Sequence, residues 1–145
     1  LIKSQPKNAY LHEMRGEILL RTGKPAAAAK SFRRAIKLDR TKAGFIRIEL
    51  GHALVQTGKK KDIDEAIVQL TKGLARDPTA IAGYQYLAMA HGQKGNESKA
   101  LLASAELAFR TGKRKEAKLY ARRAQKGFKR GTPSWLRAED IISLN

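Results

Sequence analysis

Apolar and small residues recur along the chain at helical spacing, three or four positions apart. Ala28, Phe32 and Ala35 form one such run, and their spacing of i, i+4 and i+7 places them on one face of an α-helix. Each run therefore predicts a helix with one buried stripe. The runs together predict an all-α chain with eight helices, over residues 8–22, 25–39, 43–57, 62–76, 79–93, 97–110, 114–129 and 133–143.

Pairs of small residues seven positions apart indicate an internal repeat. The first member of each pair lies inside a helix, where a small side chain lets a second helix approach closely. The second member ends the helix, because glycine readily takes the left-handed conformation that closes a last turn. The pairs are Gly16–Gly23, Gly51–Gly58, Ala88–Gly95 and Ala105–Gly112.

This pattern resembles the tetratricopeptide repeat, a helix–turn–helix unit of about 34 residues. The resemblance implies a right-handed superhelix of antiparallel helix pairs in one domain, 1–145. The predicted units are 8–40, 43–78, 79–110 and 97–130, with helix 97–110 shared by the last two. Helix 133–143, with Thr132 as its cap and Pro133 at its first position, is predicted to cover the open end. The chain opens without methionine or a signal-peptide pattern, so we interpret it as a piece excised from a longer protein.

The residue inventory argues against catalysis by this chain. It has no cysteine, and no apolar stretch reaches the roughly 18 residues that a membrane span needs. The segment from His12 begins like the zinc-protease motif HExxH, but Gly16 stands where the second histidine is required. No phosphate-binding loop or nucleophilic triad is recognisable. We therefore predict no catalytic residue, metal site or cofactor in this chain.

The concave face of the predicted superhelix is the candidate binding site. If Gly16, Gly51, Ala88 and Ala105 are equivalent, the residues one position after and three positions before them should point inward. Aromatic and aliphatic side chains among a few polar groups suit an extended peptide, although the same side chains could simply pack against their neighbours. The predicted groove residues are Tyr10, Glu13, Glu17, Phe45, Ile48, His52, Gln85, Met89, Leu102, Glu106 and Phe109.

Positive charge is the chain's strongest compositional bias, with 30 Lys and Arg against 13 Asp and Glu, for a net +17. A basic stripe is predicted on helix 114–129 and could contact nucleic acid, anionic lipid or an acidic protein. It could equally be a solvated helix face. We favour that reading, and do not expect nucleic acid as the partner, because the nearby aromatics fall on the buried stripe. The stripe comprises Lys115, Lys118, Arg122, Lys126 and Lys129.

Three segments carry a closer resemblance: 8–16 (NAYLHEMRG), 23–26 (GKPA) and 133–141 (PSWLRAEDI). They resemble the C-terminal repeat domain of bacterial periplasmic zinc metalloproteases of the beta-barrel assembly-enhancing type. The resemblance implies a periplasmic protein whose upstream catalytic domain holds the zinc and a complete HExxH. It also implies that the groove is presented to outer-membrane proteins, to the barrel-assembly machinery or to the protease domain itself. None of that family's metal or catalytic residues matches a position here.

The sequence thus predicts a non-catalytic interaction domain in outer-membrane protein quality control. Two other functions stay open. One is a basic repeat protein that binds nucleic acid or another anionic surface. The other is a stand-alone scaffold for a soluble protein complex.

Overall fold

A computed structural model describes residues 8–41 and 43–145. Within these ranges every regular element is an α-helix, and each helix packs against the next one along the chain. The chain is an all-helical repeat superhelix, which confirms the predicted fold class. Its helices are α1 (Ala9–Arg21), α2 (Pro25–Leu38), α3 (Ala43–Thr57), α4 (Lys60–Arg76), α5 (Ile81–Gln93), α6 (Glu97–Arg110), α7 (Arg114–Gln125) and α8 (Pro133–Ile142).

Helix boundaries agree with the prediction to within two residues, except at the end of α7. This helix ends at Gln125, four residues early, because the backbone turns: the N–H of Gly127 donates to the carbonyl of Ala124. Gly127 lies so close to α6 that a Cβ there would overlap the hydroxyl of Ser98. The predicted basic stripe is therefore wrong in one respect, since Lys129 lies beyond the helix.

Two glycines let the helices of the first two units cross at short distance. A Cβ on Gly16 would lie 2.6 Å from Cε1 of Phe32, and one on Gly51 would lie 2.4 Å from Cγ of Leu70. Such distances are well inside van der Waals contact, so any side chain at either glycine would force the helices apart. The prediction that small residues occupy these crossings is confirmed.

The prediction that glycines close four of the helices is also confirmed. Gly23 has φ 76°, and the three other glycines that close the predicted repeats are likewise left-handed. At the start of α8, the hydroxyl of Thr132 accepts a hydrogen bond from the Trp135 N–H at 3.4 Å, with Pro133 at the first helical position.

The buried side chains form two cores. The larger one lies within α2 to α5 and includes the fully buried Phe32, Leu54 and Leu70. The smaller one lies within α6 to α8 and includes the fully buried Ala105 and Ile141. Contacts that skip one helix join α1 to α3 and α3 to α5, and then resume from α6 to α8. Up to α5, the odd-numbered helices contact each other across the helix between them. Beyond the junction of the two cores, the even-numbered helices α6 and α8 do so instead.

Replacing Gly51 with alanine should lower the free energy of unfolding by about 1–3 kcal/mol, because the added Cβ would collide with Leu70. Gly92→Ala is the matched control, since that Cβ would meet no atom within 4 Å. The control should leave stability unchanged or raise it by up to about 1 kcal/mol through helix propensity. Urea denaturation measures both, and equal effects would contradict the close crossing.

Candidate protein-binding groove

A recess of about 680 Å³ opens on one side of the first two and a half helix pairs. Its walls come from α1, α3 and α5, the three helices that stand side by side in the stack. Phe45 contributes an aromatic ring that is 48% exposed. The recess is lined by Glu17, Leu20, Arg21, Gly23, Pro25, Phe45, Glu49, His52, Gln56 and Tyr86.

An aromatic pair joins α3 to α5 in this recess. The rings of His52 and Tyr86 stack with their centroids 4.0 Å apart and their planes 7° from parallel. Burial lowers the pKa of His52, so its imidazole is neutral at pH 7 and stacks without a charge. Burial, together with the carboxylate of Glu49, raises the pKa of Tyr86. The pair presents a flat, uncharged surface that a ligand's apolar group can contact.

Carboxylates give the recess a local charge opposite to that of the whole chain. Burial raises the pKa of Glu49, and the nearby carboxylates of Glu17 and Glu13 raise it further. Glu13 and Glu17 are one helical turn apart on α1, so both face the same side as Glu49 on α3. Arg21 also lines the recess. Three carboxylates therefore converge beside exposed aromatic rings.

The structure brings only part of the predicted groove together. Among the lining residues, Glu17, Phe45 and His52 were predicted, and Glu13 lies close enough to act on Glu49.

Tyr10, Gln85 and Met89 are exposed but lie outside the recess. Sequence reasoning missed Glu49 and Tyr86, each of which stands two positions before the small residue of its helix. Including that position in the inward-facing set would have found both.

Ile48 requires a correction. It was predicted to line the groove, but it is only 2% exposed and belongs to the larger core. A Cβ on Gly73 would lie 2.8 Å from Cγ1 of Ile48, so this side chain points towards α4. The reason is its spacing of three residues from Gly51, which places it on the same helix face as that crossing point.

Two of the predicted groove residues on α6, Glu106 and Phe109, contact α8. The guanidinium of Arg137 donates from Nη2 to Oε2 of Glu106 at 2.9 Å and lies 5.7 Å above the ring of Phe109. Leu102 and Phe109 are partly buried against the smaller core. None of the three predicted residues of α6 lines the recess of α1, α3 and α5. Leu102 and Glu106 line a separate recess of about 240 Å³, between α4, α5 and α6.

The predicted basic stripe on α7 is mostly solvent-exposed. Lys115 and Arg122 are exposed and Lys118 is half-buried, while Lys126 is the C-cap of the helix. No group of three or more His, Cys, Asp or Glu side chains in the described ranges is arranged to hold a metal ion. In the same ranges, no helix is long and apolar enough to cross a membrane.

Comparisons with known proteins agree with this geometry. The tetratricopeptide repeat family model matches residues 9–42, which comprise α1, α2 and the turn after them. Two crystal structures of MamA resemble the whole chain, each with a TM-score of 0.71 and 19% sequence identity. They cover 97% of this chain and, respectively, 78% and 76% of the MamA chain. No curated protein matches the sequence.

These findings define the class of protein. The fold is a helical-repeat superhelix of the tetratricopeptide type, and the segment 9–42 is a tetratricopeptide repeat. The likeness to MamA is a likeness of fold. The closer resemblance to the metalloprotease repeat domain stays a prediction.

Glu49→Gln should raise the melting temperature at pH 7 by about 2 °C, a small effect because Glu49 is only partly buried. A raised carboxyl pKa means that the folded chain binds more protons than the unfolded chain between the two pKa values. Stability is therefore lost as the pH rises through that window. The difference between variant and parent should vanish as the pH falls below 4.5, the ordinary value.

Glu116→Gln is the control for this measurement, since it removes the same charge from an exposed position on α7. In a chain of net charge +17, its loss should lower the melting temperature slightly or leave it unchanged. A lower melting temperature for Glu49→Gln than for the parent at pH 7 would contradict the carboxylate cluster.

Proposed function

We propose that this chain is a non-catalytic protein-interaction module that holds a segment of a partner protein in the α1–α3–α5 recess. The observation that carries the proposal is the aromatic surface of that recess, made by the exposed ring of Phe45 and by the stacked, half-buried rings of His52 and Tyr86. Large apolar side chains that stay exposed in a concave site favour a ligand that covers them.

The shape of the recess favours a protein segment over a small molecule. Its walls are spread along three helices of the superhelix, so its floor follows the stack and does not close around a ligand. Helical repeats commonly use such extended concave surfaces for binding. An extended segment can place successive side chains against the aromatic and acidic parts of the recess in turn.

The charge of the recess restricts the class of partner segment that it can bind. Glu17 and Glu49 lie beside the aromatic rings, and Glu49 is held in a half-buried site where its charge is poorly solvated. A lysine or arginine side chain in the ligand would compensate that charge. The proposed ligand is therefore a segment with a cationic residue next to aromatic or aliphatic residues.

The identity of the partner is a further part of the proposal. Its support is the resemblance of segments 8–16, 23–26 and 133–141 to the repeat domain of periplasmic zinc metalloproteases. On this basis we propose a periplasmic protein that acts in outer-membrane protein quality control. The partners would be unfolded outer-membrane proteins, the barrel-assembly machinery or an upstream protease domain that carries the zinc.

The reading frame that encodes this chain tests the protease context. A complete HExxH motif upstream of residue 1 would support it, because that motif places two imidazoles and a general base on one metal. A frame with no such motif would remove the protease from the proposal. The interaction with a protein segment would then stand on the recess alone.

Phe45→Glu should abolish most peptide binding, because it removes aromatic surface and adds a third carboxylate to those of Glu17 and Glu49, which line the recess. Nine-residue peptides selected on the parent chain from a random library should be enriched in lysine or arginine beside aromatic residues. Fluorescence anisotropy should show their affinity for Phe45→Glu reduced by more than about tenfold, or about 1.4 kcal/mol.

Val68→Glu is the matched control, because Val68 on α4 has the same exposed fraction of 48% as Phe45 and lies outside the recess. This variant should bind the selected peptides as the parent does. Equal affinity of the peptides for both variants and the parent, with helicity intact, would move the binding site away from the recess.

A further inference from the structure

A second recess, of about 560 Å³, lies between α1 and α2 on a different side of the stack. Arg15 lines it, whereas Glu17 lines the groove, and two residues along a helix correspond to a rotation of about 200°. No acidic residue lines this second recess, which we call the basic cleft. Its cationic lining consists of Arg15, Lys30, Arg33, Arg34 and Lys37.

Four of these cations lie on α2, where each is three or four positions from two of the others. The helix contains no acidic residue. Lys30 and Arg34 are four positions apart, as are Arg33 and Lys37, and segment 25–38 contains no Asp or Glu. Like charges at this spacing destabilise a helix by roughly 0.2–0.5 kcal/mol per pair. The cluster therefore carries a repulsion that an anionic ligand would relieve.

Only one of these cations is neutralised within the part of the chain that the structure describes. Arg33 forms an ion pair with Glu65 of α4, with Nη2 and Oε2 2.8 Å apart. No ion pair within residues 8–41 and 43–145 involves Arg15, Lys30 or Arg34. The cleft thus concentrates several uncompensated positive charges in a volume typical of small-molecule sites.

We propose that the basic cleft binds a soluble ligand that carries two or more phosphate groups. Each phosphate brings up to two negative charges and three acceptor oxygens, so a short polyphosphate matches the density of cations in the cleft. The guanidinium groups of Arg15 and Arg34 can each donate two parallel hydrogen bonds to a phosphate. The hydroxyl of Ser31, which also lines the cleft, is a further donor.

The concave shape of the cleft favours a soluble ligand over a membrane. A bilayer presents its phosphates as a plane and contacts residues that protrude, whereas the cations here line a concavity between two helices. The cleft also differs from the basic stripe of α7, whose Lys115 and Arg122 line neither of the two recesses. The binding of phosphate is independent of the peptide groove, because the two recesses share no residue.

Titration calorimetry with sodium tripolyphosphate tests the proposal. The parent chain should bind one equivalent at 150 mM salt, ~tenfold more tightly than it binds inorganic phosphate, since more charges are compensated at once. Arg15→Gln with Arg34→Gln should weaken tripolyphosphate binding by more than about tenfold. Both residues are exposed, so the double variant should keep its helicity.

Arg122→Gln with Arg123→Gln is the matched control, because it removes two charges from exposed positions on α7. It should keep the parent's affinity to within about twofold if binding is local. If the Arg15/Arg34 variant loses helicity, Lys30→Gln with Lys37→Gln tests the same cleft with the same expected loss.

Four results would overturn the proposal. These are no binding of tripolyphosphate, equal weakening by the cleft and control variants, equal affinity for tripolyphosphate and inorganic phosphate, and cleft-dependent binding only to vesicles. The vesicle arm uses phosphatidylcholine mixed with phosphatidylglycerol in a sedimentation assay. Binding there without tripolyphosphate binding would assign the cleft to a membrane surface.

Discussion

The close approach of paired helices is the constraint on which the rest of this structure depends. At Gly16 and Gly51 the partner helix lies where a Cβ would be, against Phe32 and Leu70. In each pair the large side chain of the second helix packs onto the backbone of the first helix. Phe32 and Leu70 are fully buried as a result. Because the two crossings are alike, the first helices α1 and α3 stand side by side and form a common wall. The groove exists because that wall is continuous with α5.

The wall ends where the repeat changes phase. Up to α5, contacts that skip a helix join first helices, and after it they join α6 to α8. The capping helix then lies on the face of α6 that would otherwise continue the groove, and Arg137 holds Glu106 there in a charged, doubly hydrogen-bonded contact. Nε of Arg110 lies 3.6 Å from Oε2 of the same carboxylate, so two guanidinium groups compensate the charge of Glu106, whose side chain is 13% exposed. The recess of α1, α3 and α5 therefore does not continue onto α6.

The local charge differs from one surface of this molecule to another, and the net charge does not describe each surface. The net charge of +17 predicts attraction to anions, yet carboxylates converge in the recess of α1, α3 and α5. The basic cleft on the other side of α1 has the opposite character. Two opposite faces of α1 therefore suit ligands of opposite charge, and helical periodicity separates them. A partner segment and a phosphate ligand could occupy the same helix pair without competing for a side chain.

Local chemistry accounts for what the sequence by itself determined: eight helices, their small-residue crossings and their glycine ends. Gly23 and Thr132 act within a few residues of the chain, so their roles can be inferred from neighbours in sequence. The tertiary structure alone decided which faces stay open. Ile48 packs against α4, and Phe109 is covered by Arg137 of α8, so the burial of each is set by contact with another helix. Burial is a property of what packs against a residue, and the repeat pattern does not reveal where the stacking changes phase.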